Sequence, residues 1–283
     1  MKFFDRFRPP RDRLSPGESQ LRLVVGLNRV DEVIPGGWNS AINLPTDDAA
    51  VQIDRKCADI KRLIASGCGI SETHIEHYSA LKRYRLENLL NCVIRNCYAG
   101  FKLSDVQPKH FEDVDGVNPD ARKFTKEERR RRLEKSAPRV GGSARDEVFA
   151  DLSKVVSVGD LRLIEQRFNQ EMERPPTVAV IGQAGVGKTT TVNALFSVEW
   201  KTSAIGVGTH VPQGRTVALP SGGQISVTDL PGYGRSIKED ETYERMYHDV
   251  MTDCDLVLLI VQADRGDFAD DQEMILKIKE WMS

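Results

Sequence analysis

The chain has 283 residues, 40% of them hydrophobic and 29% charged, with a formal net charge of −2. That length suits about one to two domains, and the near-neutral charge argues against a globally basic nucleic-acid binder. Five cysteines without a C-x-x-C pair argue against a disulfide framework or a zinc ribbon and fit small buried residues in a reducing cytoplasm.

Residues 1–20 begin MKFFDRFRPPRDRL, with charges throughout and no apolar core of the kind a signal peptide needs, and read as a disordered basic tail. No apolar run reaches the roughly 18–20 residues of a spanning helix. Residues 21–27 read as a buried strand, and Asn28-Arg29-Val30-Asp31 follows it directly. Residues 32–48, with Pro35, Gly36, Gly37 and Pro45, read as loop. Over 48–66, Ala50, Ile53, Cys57, Ile60 and Ile64 recur at helical spacing, with Gly67 and Gly69 as the stop. ETHIEHYSAL then reads as a strand that ends in Ser79-Ala80, and LENLLNCVIRNCYA (86–99) as a helix closed by Gly100.

Composition changes after residue 100. Residues 101–170 read as a polar and basic linker with helices. Within it, RKFTKEERRRRLEK (122–135) holds eight basic and three acidic residues, which suits a solvated linker helix or a patch for RNA or anionic lipid. Residues 145–172 regain helical periodicity, with Gly159 as the expected break between two helices.

The sharpest signal follows. TVAVIGQAGVGKTTTVNALF is an apolar strand, then Gly182-Gln183-Ala184-Gly185-Val186-Gly187-Lys188-Thr189-Thr190, then a helix. Glycines let the backbone wrap a phosphate chain with its N–H groups turned inward, and the helix N-terminus adds positive dipole charge. In this motif Lys188 reaches the β- and γ-phosphates and the Thr189 hydroxyl ligates Mg2+. The strand 224–228 delivers Asp229, and Asp229-Leu230-Pro231-Gly232 suits a carboxylate near Mg2+ and a glycine N–H beside the γ-phosphate. Between the two motifs Thr209 is the candidate switch threonine for Mg2+, with Thr202 and Thr216 as competing choices. CDLVLLIVQAD (254–264) reads as a buried strand and DDQEMILKIKEWM as the helix after it.

The phosphate loop, GVGT, DLPG and DLVLLIVQADRGDFADDQ resemble the Era-like branch of translation-factor-type (TRAFAC) P-loop GTPases. Within that branch the resemblance is to the bacterial, often prophage-borne YfjP-type proteins, with some likeness to dynamin-like proteins. LVVGLNRVDEVIPGGWN resembles the base-specificity region of that family, and HYSALKRYRLENLL its last strand and helix. The matching segments cover about residues 20–100 and 160–283, with the guanine motifs first and the phosphate motifs second. Three arrangements account for this order: a circularly permuted single domain, a slice of a tandem array, or a rearranged fragment completed between chains. Natural permuted GTPases of ribosome assembly have a similar motif order.

The resemblance implies a three-layer α/β fold, a mostly parallel sheet flanked by helices, circularly permuted with a helical linker. The expected parts are 1–20 as tail, 21–100 as the guanine half, 101–170 as linker and 171–283 as the phosphate half. It implies GTP or GDP with Mg2+ as ligands. Asp31 would accept from guanine N1–H and N2–H₂, Asn28 would brace the loop, the Arg29 stem would cover the base, and Ser79-Ala80 would turn the Ala80 N–H toward guanine O6. Lys188, Thr209 and Gly232 are the candidate catalytic residues, and Thr189, Thr209 and Asp229 the metal ligands. Tyr233 stands where Ras-like GTPases carry a water-orienting Gln, with Gln183, Arg215 and Arg235 as alternative helpers. The expected activity is a slow GTPase switch in the cytoplasm, stimulated by a homodimer or an activating protein. A ribosome or RNA would be met through 122–135, or a membrane surface through 1–14. The alternatives are a nucleotide-binding scaffold without hydrolysis, and an ATPase.

Overall fold

Strand β1 (Leu23–Asn28), β5 (Thr177–Gly182) and β8 (Leu256–Gln262) are near-continuous apolar runs, the pattern of strands covered on both faces. The computed structural model describes residues 21–97, 103, 106–115, 117–134, 156–200, 213–218, 224–234 and 237–282. In it these runs form the centre of a six-stranded sheet. The other members are β4 (Ile75–His77), β6 (Gln213–Ala218) and β7 (Gln224–Asp229), in the order β4-β1-β8-β5-β7-β6. Only the β6–β7 pair in this sheet is antiparallel, and β1 runs parallel to β8 from Leu23↔Val257 to Asn28↔Gln262. The early and late segments of the chain therefore share one sheet, and the carboxyl ends of its parallel strands open on one side.

Alternation along the strands divides the core between the two faces. Leu23, Val25, Leu27, Ala179, Ile181, Val257, Leu259 and Val261 meet helices α1 (Asp47–Cys68), α6 (Ile237–Asp253) and α7 (Ala269–Met282). Val24, Val178, Val180, Leu256, Leu258 and Ile260 meet α2 (Leu86–Asn96) and α5 (Lys188–Phe196). Each fully buried aliphatic side chain here contributes about 1.5–3 kcal/mol relative to exposure. The result is the expected three-layer α/β arrangement.

Several boundaries differ from the sequence reading. Helix α1 begins at Asp47 because the Thr46 side chain caps it, and it buries Ala49, not Ala50. Gly67 does not stop it. A Cβ there would lie 2.4 Å from Nε2 of the flexible Gln272 side chain on α7, and Gly69 at φ 60 forms the end. The stretch 72–81 yields only the short β4, because Ser71 caps a 3-10 turn over Glu72–His74. The loop 32–48 contains a small hairpin, β2 (Trp38–Asn39) with β3 (Leu44–Pro45). Helix α2 ends at Asn96, with Cys97 extended, and Gly100 lies outside the described residues.

The intervening segment is packed against both halves. Leu103 and Val106 are buried in the core, and the Lys109 N–H donates to Ala194 O at the end of α5 (2.8 Å). Helix α3 (Pro119–Glu134) takes Pro119 at its first turn. It is no freely solvated linker: Ala121 and Thr125 are buried, and Arg129 reaches Glu87 at 3.1 Å and Glu112 at 2.8 Å. Helix α4 (Val158–Glu173) contains Gly159 in its first turn, where few intrahelical bonds depend on it, and Ser157 Oγ accepts from Asp160 N–H. Gly159 therefore lies at the start of the described helix. The first of the two helices expected over 145–172, like the tail 1–20, lies mainly outside the described residues. All five cysteines are free and buried, and among the described residues no helix is long and apolar enough to cross a membrane.

Asp255 anchors the far end of the sheet. Both its oxygens accept from Arg174 (3.0 and 2.7 Å), and Thr177 donates its N–H (2.7 Å) and hydroxyl (2.9 Å). Burial raises this carboxyl, but the Arg174 and Thr177 donors outweigh it, so its pKa lies below the ordinary value. A depressed native pKa adds stability above the unfolded value near 3.9, and that stability is lost as pH falls through the native pKa. Asp255→Asn is expected to lose about 1–3 kcal/mol at pH 7. The gap to wild type should narrow below about pH 4, as read by urea unfolding at both pH values.

Candidate functional site

The loop after β5 wraps around its own backbone because three of its residues are glycines in conformations that side chains rarely adopt, Gly182 (φ 158), Gly185 (φ 79) and Gly187 (φ 95). A Cβ on Gly182 would sit 2.3 Å from Ile260 O. The Lys188 ammonium folds over this loop and donates to Gly182 O (3.0 Å) and Gln183 O (3.1 Å). Ala184, Gly185 and Val186 form the crest, and α5 starts directly behind it at Lys188. Gly232 lies against this loop so closely that a Cβ would meet Ala184 N at 2.7 Å.

The segment after β1 grips the same loop. The buried Asn28 amide donates to Val186 O (2.9 Å), and its Oδ1 accepts the Ala80 N–H (3.0 Å). A Cβ on Gly187 would fall 2.6 Å from Asn28 Nδ2. Arg29, in a left-handed conformation (φ 65), bonds to Gly185 O and pairs with Glu32 at 3.3 Å. The Ala80 N–H, expected to face guanine O6, thus points at Asn28 Oδ1. Ser79 is fully buried; its backbone pairs with Tyr84 and its Oγ accepts from Lys82 N–H.

Two carboxylates near these segments carry an orphaned oxygen. Asp31 Oδ1 is buried and has no hydrogen-bond partner, and Asp229 Oδ1 is in the same state. Asp229 Oδ2 accepts from Thr189 Oγ1 at 3.4 Å. Burial raises the Asp229 pKa, with the Lys188 charge and the Thr189 hydroxyl opposing. An orphaned buried carboxylate oxygen beside a threonine hydroxyl fits a hard cation with oxygen ligands, so the residues present suit Mg2+. Thr209, Thr202 and Arg235 lie outside the described residues. Thr216 is exposed on β6, and Arg215 lies over the Trp200 ring at 5.3 Å. Thr190 faces a groove of about 480 Å³ that it shares with Ala80, Leu81 and Trp200.

Sequence reasoning missed the supports of this site. The buried Tyr78 hydroxyl meets Thr191 Oγ1 (2.8 Å), which donates to Gly187 O (2.9 Å). Gln183 is held by Arg265 and by Asp270 (3.4 Å). Tyr233 is buried, and its hydroxyl donates to Asp271 on α7. Gln183 and Tyr233 were legible as motif positions, but their partners Arg265, Asp270 and Asp271, like the Tyr78–Thr191 pair, are far apart along the chain.

Comparison with known proteins agrees with this geometry. Residues 177–282 match the sequence model of a family described as "50S ribosome-binding GTPase". The chain is similar to two uncharacterized proteins of Escherichia coli (strain K12). YkfA is 35% identical over 118 residues, 41% of this chain and 39% of that protein; YfjP is 30% identical over 117 residues, 41% and 40%. It is also 27% identical over 115 residues to the GTPase HflX of Caldanaerobacter subterraneus, 40% of this chain and 27% of that one. The chain thus spans about two-fifths of the E. coli relatives it matches.

The Tyr233–Asp271 pair carries a pH signature. Burial raises the Asp271 carboxyl to about 6, against the Tyr233 hydrogen bond and the Arg265 charge that lower it. A raised native pKa gives stability that is fully present below the unfolded value near 3.9 and is lost as pH rises through about 6. Asp271→Asn, which keeps an acceptor for Tyr233, should therefore gain thermal stability relative to wild type at pH 8 and show no gain at pH 4. A difference that does not vary with pH would count against this assignment.

Proposed function

We propose, on the premise that residues 177–282 are a P-loop GTPase domain, that this chain is a GTP-binding switch with one nucleotide site built from both ends of the chain. The early segment reads the guanine and the late segment holds the phosphates, in the order of a circularly permuted domain. The observation that carries this reading is the Asn28 amide, bonded on one side to Val186 O of the phosphate loop and on the other to Ala80 N–H. The strand order, with β1 between β4 and β8, supports it.

The chain's own groups then have distinct tasks. The unpartnered Asp31 oxygen accepts from the guanine N1 and N2 hydrogens; adenine offers neither, so ATP would leave a buried acceptor unpaired. Arg29 covers the base with its stem while it holds Gly185 O. Lys188 moves its ammonium from the loop carbonyls to the β- and γ-phosphates, and the N–H groups of residues 183–189 line the phosphate path. The Gly232 N–H faces the γ-phosphate from the other side. Mg2+, when bound, neutralises β- and γ-phosphate oxygens, and Thr189, Asp229 and Thr209 are the residues to hold it.

Hydrolysis is proposed to be slow in the isolated chain. Position 233 holds a buried Tyr bonded to Asp271, so no side chain there orients water. Stimulation then comes from an activating protein or a second copy. The family description that fits residues 177–282 makes the large ribosomal subunit a candidate partner, with the cations of α3 as its contact and the cytoplasm as the place of work. The same Tyr233 geometry favours a second reading, a guanine-nucleotide-binding scaffold without turnover.

Wild-type protein should bind fluorescent GDP far more tightly than the ADP analogue, with GTP turnover alone below about 0.01 s⁻¹. Asp31→Asn should move the preference from guanosine to xanthosine nucleotides. Lys188→Ala should weaken GTP binding at least about tenfold. Equal affinity for ATP and GTP would falsify the shared site. Turnover in wild type that Lys188→Ala abolishes separates the switch from the scaffold.

A further inference from the structure

We infer that Tyr84, held in place by Arg132 of helix α3, is a positioning residue for guanine recognition, which makes the connecting helix a working part of the nucleotide site. The inference deepens the reading of a shared site and rests on it.

Tyr84 closes the turn that carries Ala80. Its N–H donates to Ser79 O (2.9 Å), and its carbonyl accepts from Ser79 N–H (3.1 Å). Inside that turn the Ala80 N–H holds Asn28 Oδ1, and Asn28 in turn holds Val186 O. The position of the Tyr84 backbone is thus passed through two hydrogen bonds to the amide that joins the guanine and phosphate segments. Asp31 lies three residues beyond that amide, and the Val30 N–H between them donates to Tyr78 O (3.4 Å).

The ring of Tyr84 is clamped from two directions. The Arg132 guanidinium lies 4.6 Å from its centroid, within cation–π range. The Trp38 ring meets it edge-on at 5.3 Å and 90°. Trp38 Nε1 donates to Asn43 Oδ1 (3.2 Å), and Asn43 Nδ2 donates to Lys82 O (2.8 Å), so the β2–β3 hairpin braces the same turn again. Arg132 is presented by a helix that is itself anchored, since Arg129 one turn earlier reaches the buried carboxylates Glu87 and Glu112. His110 Nε2 lies 3.1 Å from the same Glu87, next to Lys109, whose N–H bonds to Ala194 O at the end of α5. The clamp bears on the base end. Besides its bonds to Asn28 and Arg29, the phosphate loop has supports that bypass Tyr84: β5, α5 and the Tyr78–Thr191–Gly187 bonds.

The test measures affinity for two Mg2+-loaded probes, GDP and inorganic tripolyphosphate, which engages the phosphate loop without a base. Tyr84→Leu should weaken GDP about tenfold and Arg132→Ala roughly two- to fivefold, with tripolyphosphate affinity unchanged in both. Tyr84→Phe, which keeps the ring, should bind GDP like wild type. Thermal melting of each variant establishes that it is folded, and if Tyr84→Leu fails to fold, the partly exposed Arg132 carries the test. Wild-type GDP affinity in a folded Tyr84→Leu or, failing that, in Arg132→Ala overturns the inference, as does an equal loss for both probes. Wild-type protein that does not prefer GDP to ADP sinks the shared-site reading itself, a failure visible before any variant is made.

Discussion

A single buried carboxamide sets the geometry of this molecule. Asn28 ends the strand β1, and both halves of its amide are satisfied by backbone groups from distant segments, Val186 O and Ala80 N–H. An amide removed from water costs free energy unless its partners are in place, so these bonds hold three loops at fixed distances. Gly187 must be a glycine for the amide to approach. The parallel pairing of β1 with β8 delivers Asn28 to that spot, since the last pair in the register is Asn28↔Gln262.

Around this joint the carboxylates divide into two kinds. Asp255 has every oxygen engaged, and its low pKa is that of a group completed by the protein alone. Asp31 and Asp229 are each left with a buried oxygen that no protein donor reaches. Native proteins rarely leave such atoms without a reason, and Asp31 follows β1 closely while Asp229 ends β7. Asp271 is an intermediate case: Tyr233 satisfies one oxygen, the other is unpartnered, and burial raises its pKa to about 6. The same bond holds Tyr233 in the core.

The segment between the halves has a larger part than its composition suggests. A run of arginines reads as a solvated face, yet Arg129 and Arg132 point inward, one to the buried Glu87 and Glu112, the other to the ring of Tyr84. Long cationic side chains bury their stems while the heads find specific partners. Charge counts along a helix do not reveal which cations are so engaged.

What the sequence by itself determined were the features made of neighbouring residues. The phosphate loop, with its glycines, Lys188 and Thr189, is a strand, a tight turn and a helix start, and each is dictated by local backbone chemistry. The buried strands and most helices followed from hydrophobic period for the same reason. The motif Asn28-Arg29-Val30-Asp31 was legible as a pattern, but its company was not. Only the tertiary structure decided that β1 lies against β8, that Gly67 lies beside Gln272 and does not end a helix, and that Ala80 N–H serves Asn28. Only the fold brought Tyr84 beneath Arg132. Those outcomes depend on contacts between residues far apart in the chain. Such contacts form only after loop closure has paid its entropy, and they leave no period or spacing to be read beforehand.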